Sequence, residues 1–374
     1  MKILLIPVFC FFVFAGHGQA VSLSSYKSEV TEKNPIPFFL APTDEHAWKN
    51  EAIFRNYDQT SKEGAATRTP NTSELILKFS QYTKAIAKNP GDTAAYCNRA
   101  IERFKMNDYA GAVADLNKVI EIDPARADVY YGIGFTKMAM DDFQGAIGSY
   151  NKAITLDPNF AEVYFNRGNT KMAMQDYGGA ITDYNLLIPL IPANNFVYNR
   201  RGFSRSCIKD QAGAMADYNK AIELDPKFAE AYYNRGNTKM DLQDYQGAIG
   251  DYSKVVVLRP GVAEAYFNKA VAEDKLNNAK DAIADYNEAI KLSPKDPAAY
   301  YNRGSINFKL TNYKKAVADF SKAIRFDPKG AGAYYARAMS KIALGQKDSG
   351  CADLNKAVEL GDEQAKVQIK KYCN

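Results

Sequence analysis

The sequence predicts an all-α protein in which antiparallel helix pairs stack on one another as a solenoid. Eight prolines lie 34 residues apart without interruption: Pro90, Pro124, Pro158, Pro192, Pro226, Pro260, Pro294 and Pro328. Each period contains two apolar-patterned helical stretches separated by a short turn. One such pair buries only one of its faces, so neighbouring pairs must stack and form a concave groove.

The chain of 374 residues begins with a stretch that does not belong to the repeats. Residues 1–20, MKILLIPVFCFFVFAGHGQA, combine an early lysine, an apolar run and small residues at the end, which is the pattern of a cleaved signal peptide. The apolar run is shorter than the roughly 20 residues that span a bilayer. We therefore expect an exported protein, periplasmic or secreted, without a membrane span.

The remaining residues divide into four parts. Residues 21–70 are an arm of uncertain order, either extended or loosely docked, whose one plausible helix is HAWKNEAIFRNY at residues 46–57. Residues 71–90 contain a lone helix that we expect to pack under the first repeat. Eight repeats follow over residues 91–362, and residues 363–374 are expected to form a capping helix.

Small residues recur where the two helices of a pair must cross. When the repeats are aligned, each position shared by all of them is here called a column. One column is Gly or Ala in every repeat, as at Gly134 and Gly304, because a larger side chain would hold the helices apart. A second column is large throughout: Leu116, Tyr150, Tyr184, Tyr218, Tyr252, Tyr286, Phe320 and Leu354. An aspartate precedes the second helix, where an N-cap is needed, in five repeats: Asp108, Asp142, Asp176, Asp210 and Asp244.

A basic column and an acidic column change together. The basic column is Arg99, Arg167, Arg201, Arg235, Lys269, Arg303 and Arg337, and the acidic column is Asp115, Asp183, Asp217, Asp251, Asp285, Asp319 and Asp353. The remaining repeat has Ile133 and Ser149, so both charges are lost at once. This predicts an ion pair inside each repeat, because a single semi-buried charge would be left uncompensated. The alternative is that both columns are merely exposed charges.

The 34-residue period with these columns resembles the tetratricopeptide repeat family. The resemblance implies a right-handed α-solenoid, or superhelix, in which the first helix of each pair faces the concave side. It also implies a non-catalytic scaffold that binds extended peptide or protein segments in that groove. The alternative function is a structural component of a cell-envelope assembly, in which the solenoid is a spacer.

Two columns of the first helix are the candidate groove residues. The aromatic column is Tyr131, Phe165, Tyr233, Phe267 and Tyr301, and the asparagine column is Asn98, Asn166, Asn234, Asn268 and Asn302. The asparagine column resembles the ladder that lines the superhelix of O-linked N-acetylglucosamine transferase, where side-chain amides pair with the backbone of an extended peptide. The alternative is that these residues are only the structural consensus of a subfamily.

The third repeat departs from the pattern in the stretch NLLIPLIPANN, residues 185–195. Pro189 cannot donate a backbone hydrogen bond and disfavours helical geometry at Ile188, so the second helix should end about a turn early. Leu186 and Ile191 stand where other repeats mostly carry Lys and Asp. They are expected either to fill the resulting gap or to form an exposed apolar patch.

The fourth repeat places a cation in the asparagine column. Arg200 stands between Asn166 and Asn234 in that column. A guanidinium at this point favours an anionic group on the ligand, and repeats three and four would then form the principal contact region. The alternative is a neutral local irregularity.

Composition and motifs argue against other functions. The 48 basic and 43 acidic residues are interspersed, so no nucleic-acid partner is expected. His46 is the one histidine after residue 20, and no P-loop, nucleophile elbow or CxxC occurs. We predict no enzyme, no cofactor and no metal, while the oligomeric state stays open.

The last two cysteines are a candidate disulfide. Cys351 opens the last second helix, and the final helix runs back to Cys373, so the two thiols lie at matching heights of an antiparallel hairpin. In an oxidising compartment a bridge would staple the terminal cap. The tail SGCADLNKAVELGDEQAKVQIKKYC resembles that of secreted bacterial proteins of the family.

Overall fold

In the computed structural model, residues 72–373 are described, and they form eighteen α-helices. The predicted signal peptide at residues 1–20 and the arm at residues 21–70 lie outside these residues. The helices are α1 Thr72–Lys88, α2 Thr93–Lys105, α3 Tyr109–Ile122, α4 Ala127–Ala139, α5 Phe143–Leu156, α6 Ala161–Ala173, α7 Tyr177–Leu187, α8 Asn195–Cys207, α9 Gln211–Leu224, α10 Ala229–Asp241, α11 Tyr245–Leu258, α12 Ala263–Lys275, α13 Ala279–Leu292, α14 Pro297–Lys309, α15 Tyr313–Phe326, α16 Ala331–Ala343, α17 Lys347–Glu359 and α18 Glu363–Tyr372.

The helices alternate as the period predicts. Even-numbered helices from α2 to α16 are the first helices of the repeats, and odd-numbered helices from α3 to α17 are the second helices. The described residues fall into two compact units, 72–197 and 198–373, and the boundary lies within α8. Inside each unit, helices consecutive in the chain pack on one another. The predicted all-α fold of stacked helix pairs is confirmed.

Local chemistry fixes the turn between the two helices of a pair. The predicted N-caps are confirmed: the Asp108 carboxylate accepts a hydrogen bond from the backbone N–H of Gly111 at 3.0 Å, and the four equivalent aspartates do the same. The residue before this cap is left-handed in every pair. Seven of these residues are not glycine, with φ between 58° and 68°: Asn107, Asp141, Gln175, Lys209, Gln243, Asn277 and Thr311. The left-handed residue ends the first helix and allows the sharp reversal.

The crossing of the two helices depends on the small column, as predicted. A Cβ added to Gly134 would lie 2.6 Å from the ring of Tyr150, and one added to Gly304 would lie 2.9 Å from Phe320. The large column is fully buried in all repeats. Within each unit, every repeat therefore contributes one large core side chain that packs against the small residue of its partner helix.

Helix α7 ends early, which confirms the prediction from Pro189. It has 11 residues, whereas the equivalent helices α5 and α9 have 14. The expected loss of helical geometry at Ile188 is wrong. Ile188 has φ −55° and ψ −42°, and its N–H donates to the carbonyl of Tyr184 at 3.0 Å. A proline constrains the preceding residue but does not forbid the α region.

The apolar residues Leu186 and Ile191 of this stretch differ in how far they are buried. Ile191 packs against the buried cluster of Tyr164, Tyr184 and Leu187 and so helps to fill the space beyond the shortened helix. Leu186 is 50% exposed. Of the two alternatives that the sequence left open, Ile191 follows the first, because it helps to fill the gap, whereas Leu186 faces solvent.

The predicted ion pair is present in all seven repeats that carry both charges. In the six arginine repeats a guanidinium nitrogen lies 2.5–2.7 Å from its aspartate. Lys269 lies 3.3 Å from Asp285. In the remaining repeat Ile133 is buried, and the Ser149 hydroxyl donates to the carbonyl of Gly145 at 2.9 Å, so the exchange leaves no lone charge.

The six ion pairs formed by arginine belong to a larger network that the sequence alone did not predict. A second cation from the first helix reaches the same aspartate in five repeats, as Lys239 does to Asp251 at 2.8 Å. The column arginine also reaches the preceding repeat, as Arg235 Nη1 donates to Asn219 Oδ1 at 2.7 Å. The guanidinium lies over a tyrosine ring as well, 5.4 Å from the centroid of Tyr232 for Arg235. One arginine thus joins three helices that belong to two repeats.

The sixth repeat is the weakest part of this network. Within residues 72–373, Lys269 is the only cation paired with Asp285, and Glu273 occupies the place of the second cation. Burial raises the pKa of Asp285, against the opposing effect of Lys269. This carboxylate is therefore less well compensated than Asp251.

We predict that Asp251→Asn and Asp285→Asn differ in their effect on stability. Asp251→Asn leaves Arg235 and Lys239 without their carboxylate, and we expect a loss of about 3 kcal/mol in the free energy of unfolding. Asp285→Asn should cost less than about 1 kcal/mol, because it removes a poorly compensated buried charge. Urea unfolding at pH 7 measures both, and equal losses would contradict the network.

The C-terminal end is closed by α18. The structure joins Cys351 of α17 to Cys373 in a disulfide. Ala365 is buried against Ala338, Leu354 and Ala357, and Ile369 and Cys373 lie beside them. The bridge therefore holds the end of α18 on the last helix pair.

We predict that Cys351→Ser/Cys373→Ser loosens this cap. The bridge closes a loop of 22 residues, for which a stabilisation of about 2–4 kcal/mol is typical. Amide hydrogen exchange in α18 should accelerate in the double variant. A reducing agent should have the same effect on the native chain and none on the variant, whereas slow exchange of α18 in all samples would refute the role of the bridge.

Candidate functional site

Within each of the two units, the aromatic and asparagine columns of the first helices lie on the same side of those helices, here named the first-helix face. The aromatic rings are half-buried except Phe267, which is buried. Each packs on the large residue of its own repeat, with ring centroids 5.6–6.4 Å apart. Part of each ring is thus committed to the core, and the exposed part is what a ligand can contact.

Most of the asparagine column is hydrogen-bonded inside the protein. Asn166 Nδ2 donates to the hydroxyl of Tyr131 at 3.0 Å and to the carbonyl of Glu162 at 2.9 Å. Asn268 Nδ2 donates in the same way to the hydroxyl of Tyr233 at 3.0 Å. These bonds join an asparagine to the aromatic column of the preceding repeat.

The fourth repeat keeps this tie with another residue. Asn199 stands in the aromatic column, is buried, and its side-chain oxygen accepts a hydrogen bond from Asn234 Nδ2 at 3.0 Å. The tie from the asparagine column to the preceding repeat thus does not need a tyrosine. It needs an acceptor at that position.

Burial divides the asparagine column into two groups. Asn166, Asn234 and Asn302 are buried, Asn166 being only 5% exposed. Asn98 and Asn268 are half-exposed. An amide whose donors are used inside the protein cannot pair with a peptide unit without losing those bonds. Asn268 also uses its amide internally, since Nδ2 donates to Asn237 Oδ1 at 3.3 Å as well as to Tyr233. The geometry therefore favours a structural role for the three buried asparagines and for Asn268, and it leaves the half-exposed Asn98 available to a ligand.

Acidic residues line the start of the first helices, a feature that the sequence analysis did not single out. Glu230 is paired with Arg259 at 2.8 Å. Glu162 has no cationic partner within residues 72–373, and burial raises its pKa. The sequence signal was one column in which four repeats carry aspartate, the third carries Ile191 and the fifth carries Arg259.

Arg200 lies in α8 and is half-buried. Its backbone carbonyl accepts a hydrogen bond from the Ser204 hydroxyl at 3.0 Å. Its role as an anchor for an anionic group stays a prediction.

Metal-binding clusters and membrane-spanning helices do not occur in the described part of the chain. Residues 72–373 contain no group of three or more His, Cys, Asp or Glu side chains that could hold a metal ion. None of the helices in this range has the length and apolar character needed to cross a bilayer. The first-helix face is thus the candidate site.

A fold of stacked helix pairs with this repeated face defines a helical-repeat protein. Sequence models described as TPR repeat match residues 102–141, 137–175, 209–243 and 275–311. Models described as tetratricopeptide repeat match residues 161–194, 229–261, 297–329 and 331–360. The chain belongs to the tetratricopeptide repeat family.

Comparisons with individual proteins cover parts of the chain. A Protein SGT1 homolog from Oryza sativa subsp. japonica is 40% identical over 52 residues, which are 14% of this chain and 14% of that protein. The crystal structure of MamA protein is 27% identical, covering 45% of this chain and 92% of its own, with a TM-score of 0.43. A tetratricopeptide repeat protein from Parabacteroides merdae is 22% identical, covering 66% and 99%, with a TM-score of 0.49.

We predict that Tyr131→Phe destabilises the protein while Tyr301→Phe does not. Tyr131→Phe removes the acceptor of the buried Asn166 amide, which should cost about 1–2 kcal/mol in the free energy of unfolding. Tyr301 is the matched control, because the residue that would donate to it is Ala336. Thermal and urea unfolding measure both variants, and equal stabilities would show that the asparagine tie contributes nothing.

Proposed function

We propose that the protein is a non-catalytic scaffold that binds extended peptide or protein segments on its concave first-helix face. The observation that carries this proposal is the repetition of a half-buried aromatic ring along that face, with a half-exposed amide at Asn98. Rings supply apolar contact area, and an asparagine amide offers one donor and one acceptor to a peptide unit. A repeated site of this kind suits a repeated ligand, which is a polypeptide backbone.

The spacing of the helices supports an extended ligand. Packed helices lie about 8–10 Å apart, and an extended chain rises about 3.3 Å per residue. About three ligand residues would therefore pass each repeat. The hydrogen bonds from Asn166 to Tyr131 and from Asn268 to Tyr233 hold the rings in place before binding. This lowers the entropy cost of binding a ligand.

Two further elements belong to the proposal. Arg200 provides an anchor for an acidic side chain or a terminal carboxylate of the ligand. The protein acts outside the cytoplasm, in the periplasm or as a secreted protein. The signal-like residues 1–20 support export, and so does the bridge between Cys351 and Cys373, since disulfides persist in oxidising compartments.

The second candidate function is a structural component of a cell-envelope assembly. The burial of Asn166, Asn234 and Asn302 favours it, because these amides serve the stack rather than a ligand. In that case the helix pairs act as a spacer, and contacts are made at the ends or edges.

Selection of a random linear 12-residue peptide library on the chain without residues 1–20 distinguishes the two functions. The scaffold should select peptides, and Asn98→Ala should weaken the binding of selected peptides about 3–10-fold, the value of one hydrogen bond. Asn117→Ala is the matched control, because Asn117 is an exposed asparagine on the second helix of the same repeat. Fluorescence anisotropy measures the affinities.

The two variants leave the fold intact by design, since Asn98 and Asn117 are not buried. Arg200→Ala should weaken peptides that carry Asp or Glu more than neutral ones. A library without enriched peptides, or equal affinities for the Asn98 and Asn117 variants, would contradict groove binding and leave the spacer function.

A further inference from the structure

Helix α1 carries two neighbouring aliphatic side chains in solvent. Ile76 is 56% exposed and Leu77 is 59% exposed. The opposite side of α1 is packed: Leu75 and Ile86 are buried, and Phe79 lies under the guanidinium of Arg103 at 5.6 Å. The two exposed side chains are here named the α1 patch.

Packing of the repeats does not require the α1 patch. Positions equivalent to Ile76 in the second helices carry small or polar residues, all exposed: Ala110, Gln144, Gly178, Ala212, Gln246, Lys280, Lys314 and Asp348. Leu77 is equivalent to Gly111. The apolar pair is therefore particular to α1, and a polar pair would satisfy the fold.

Each of the other second helices packs against the first helix of its own repeat. Helix α1 cannot be paired with a regular first helix in this way. Lys78 stands at the crossing position that is Ala112 in the first repeat, and it is paired with Glu74 at 2.8 Å. The segment in register for such a helix, residues 59–71, reads QTSKEGAATRTPN and has no large apolar residue. Whatever covers the α1 patch must come from elsewhere.

We propose that residues 46–57, HAWKNEAIFRNY, dock on the α1 patch through Trp48, Ile53 and Phe54. Residues 58–71 connect this segment to the start of α1 and act as its tether. These 14 residues reach at most about 45–50 Å. Helix α1, with 17 residues, is about 25 Å long, so residues 46–57 can reach all of it.

The size of the α1 patch identifies the occupant as this tethered segment. Two side chains fall far short of the roughly 1,200 Å² that a stable interface between separate proteins buries. A short flexible tether raises the local concentration of an attached segment to about the millimolar range. A small apolar contact is then sufficient for docking within the chain and insufficient for a second copy or another protein.

Trp48 is the chain's single tryptophan and reports directly on this docking. In the full chain its emission should be blue-shifted and resistant to acrylamide. Ile76→Asp/Leu77→Asp should shift the emission to the red and raise the quenching constant at least twofold. The control Val257→Asp places one aspartate at a side chain that is 77% exposed in α11, and it should leave Trp48 unchanged.

Each alternative outcome is decisive. If Trp48 is fully quenched in the native chain, or equally quenched in all variants, the docking is refuted. If the double variant changes the mass in light scattering without changing Trp48 emission, a second copy covers the α1 patch and the proposal fails. Ile76→Ser/Leu77→Ser must reproduce the red shift with an unchanged far-ultraviolet helical signal, which excludes unfolding of α1 as the cause.

Discussion

The buried ion pair between the two helices of a repeat is the interaction on which the structure depends. Arg235 and Asp251 illustrate it: the aspartate is almost fully enclosed, and the arginine also reaches Asn219 of the preceding repeat and the ring of Tyr232. A buried carboxylate is tolerated only when it is well compensated. The pair therefore fixes how the helices of one repeat meet and how that repeat sits on its neighbour.

The first-helix face follows from this arrangement. The residue before each column arginine belongs to the asparagine column, so the ion pair that orients the helix also sets the direction of the asparagine. In the third repeat this brings Asn166 to the hydroxyl of Tyr131. The asparagine amides could form hydrogen bonds with a peptide backbone, but most of them join neighbouring repeats instead. These bonds hold the half-buried aromatic rings in place.

The irregular repeats show which parts of the pattern can be exchanged. Ile133 and Ser149 replace an ion pair because an apolar side chain and a self-bonded hydroxyl leave no buried charge. The shortened α7 is compensated by Ile191, which packs against the core, while Leu186 stays in solvent. Stacked repeats contact only their neighbours, so such changes stay local and the rest of the stack is preserved.

The sequence by itself determined the 34-residue period, the helix pairs, the aspartate caps, the early end of α7 and the ion pairs. These depend on residues within one repeat, whose distances in space are set by helical geometry. The structure decided that Asn166 is buried while Asn98 is half-exposed, that Ile191 packs inward, and that Asp285 lacks a second cation. These properties depend on where the neighbouring helix places its side chains. The spacing of residues along the chain does not give the distance between side chains on different helices.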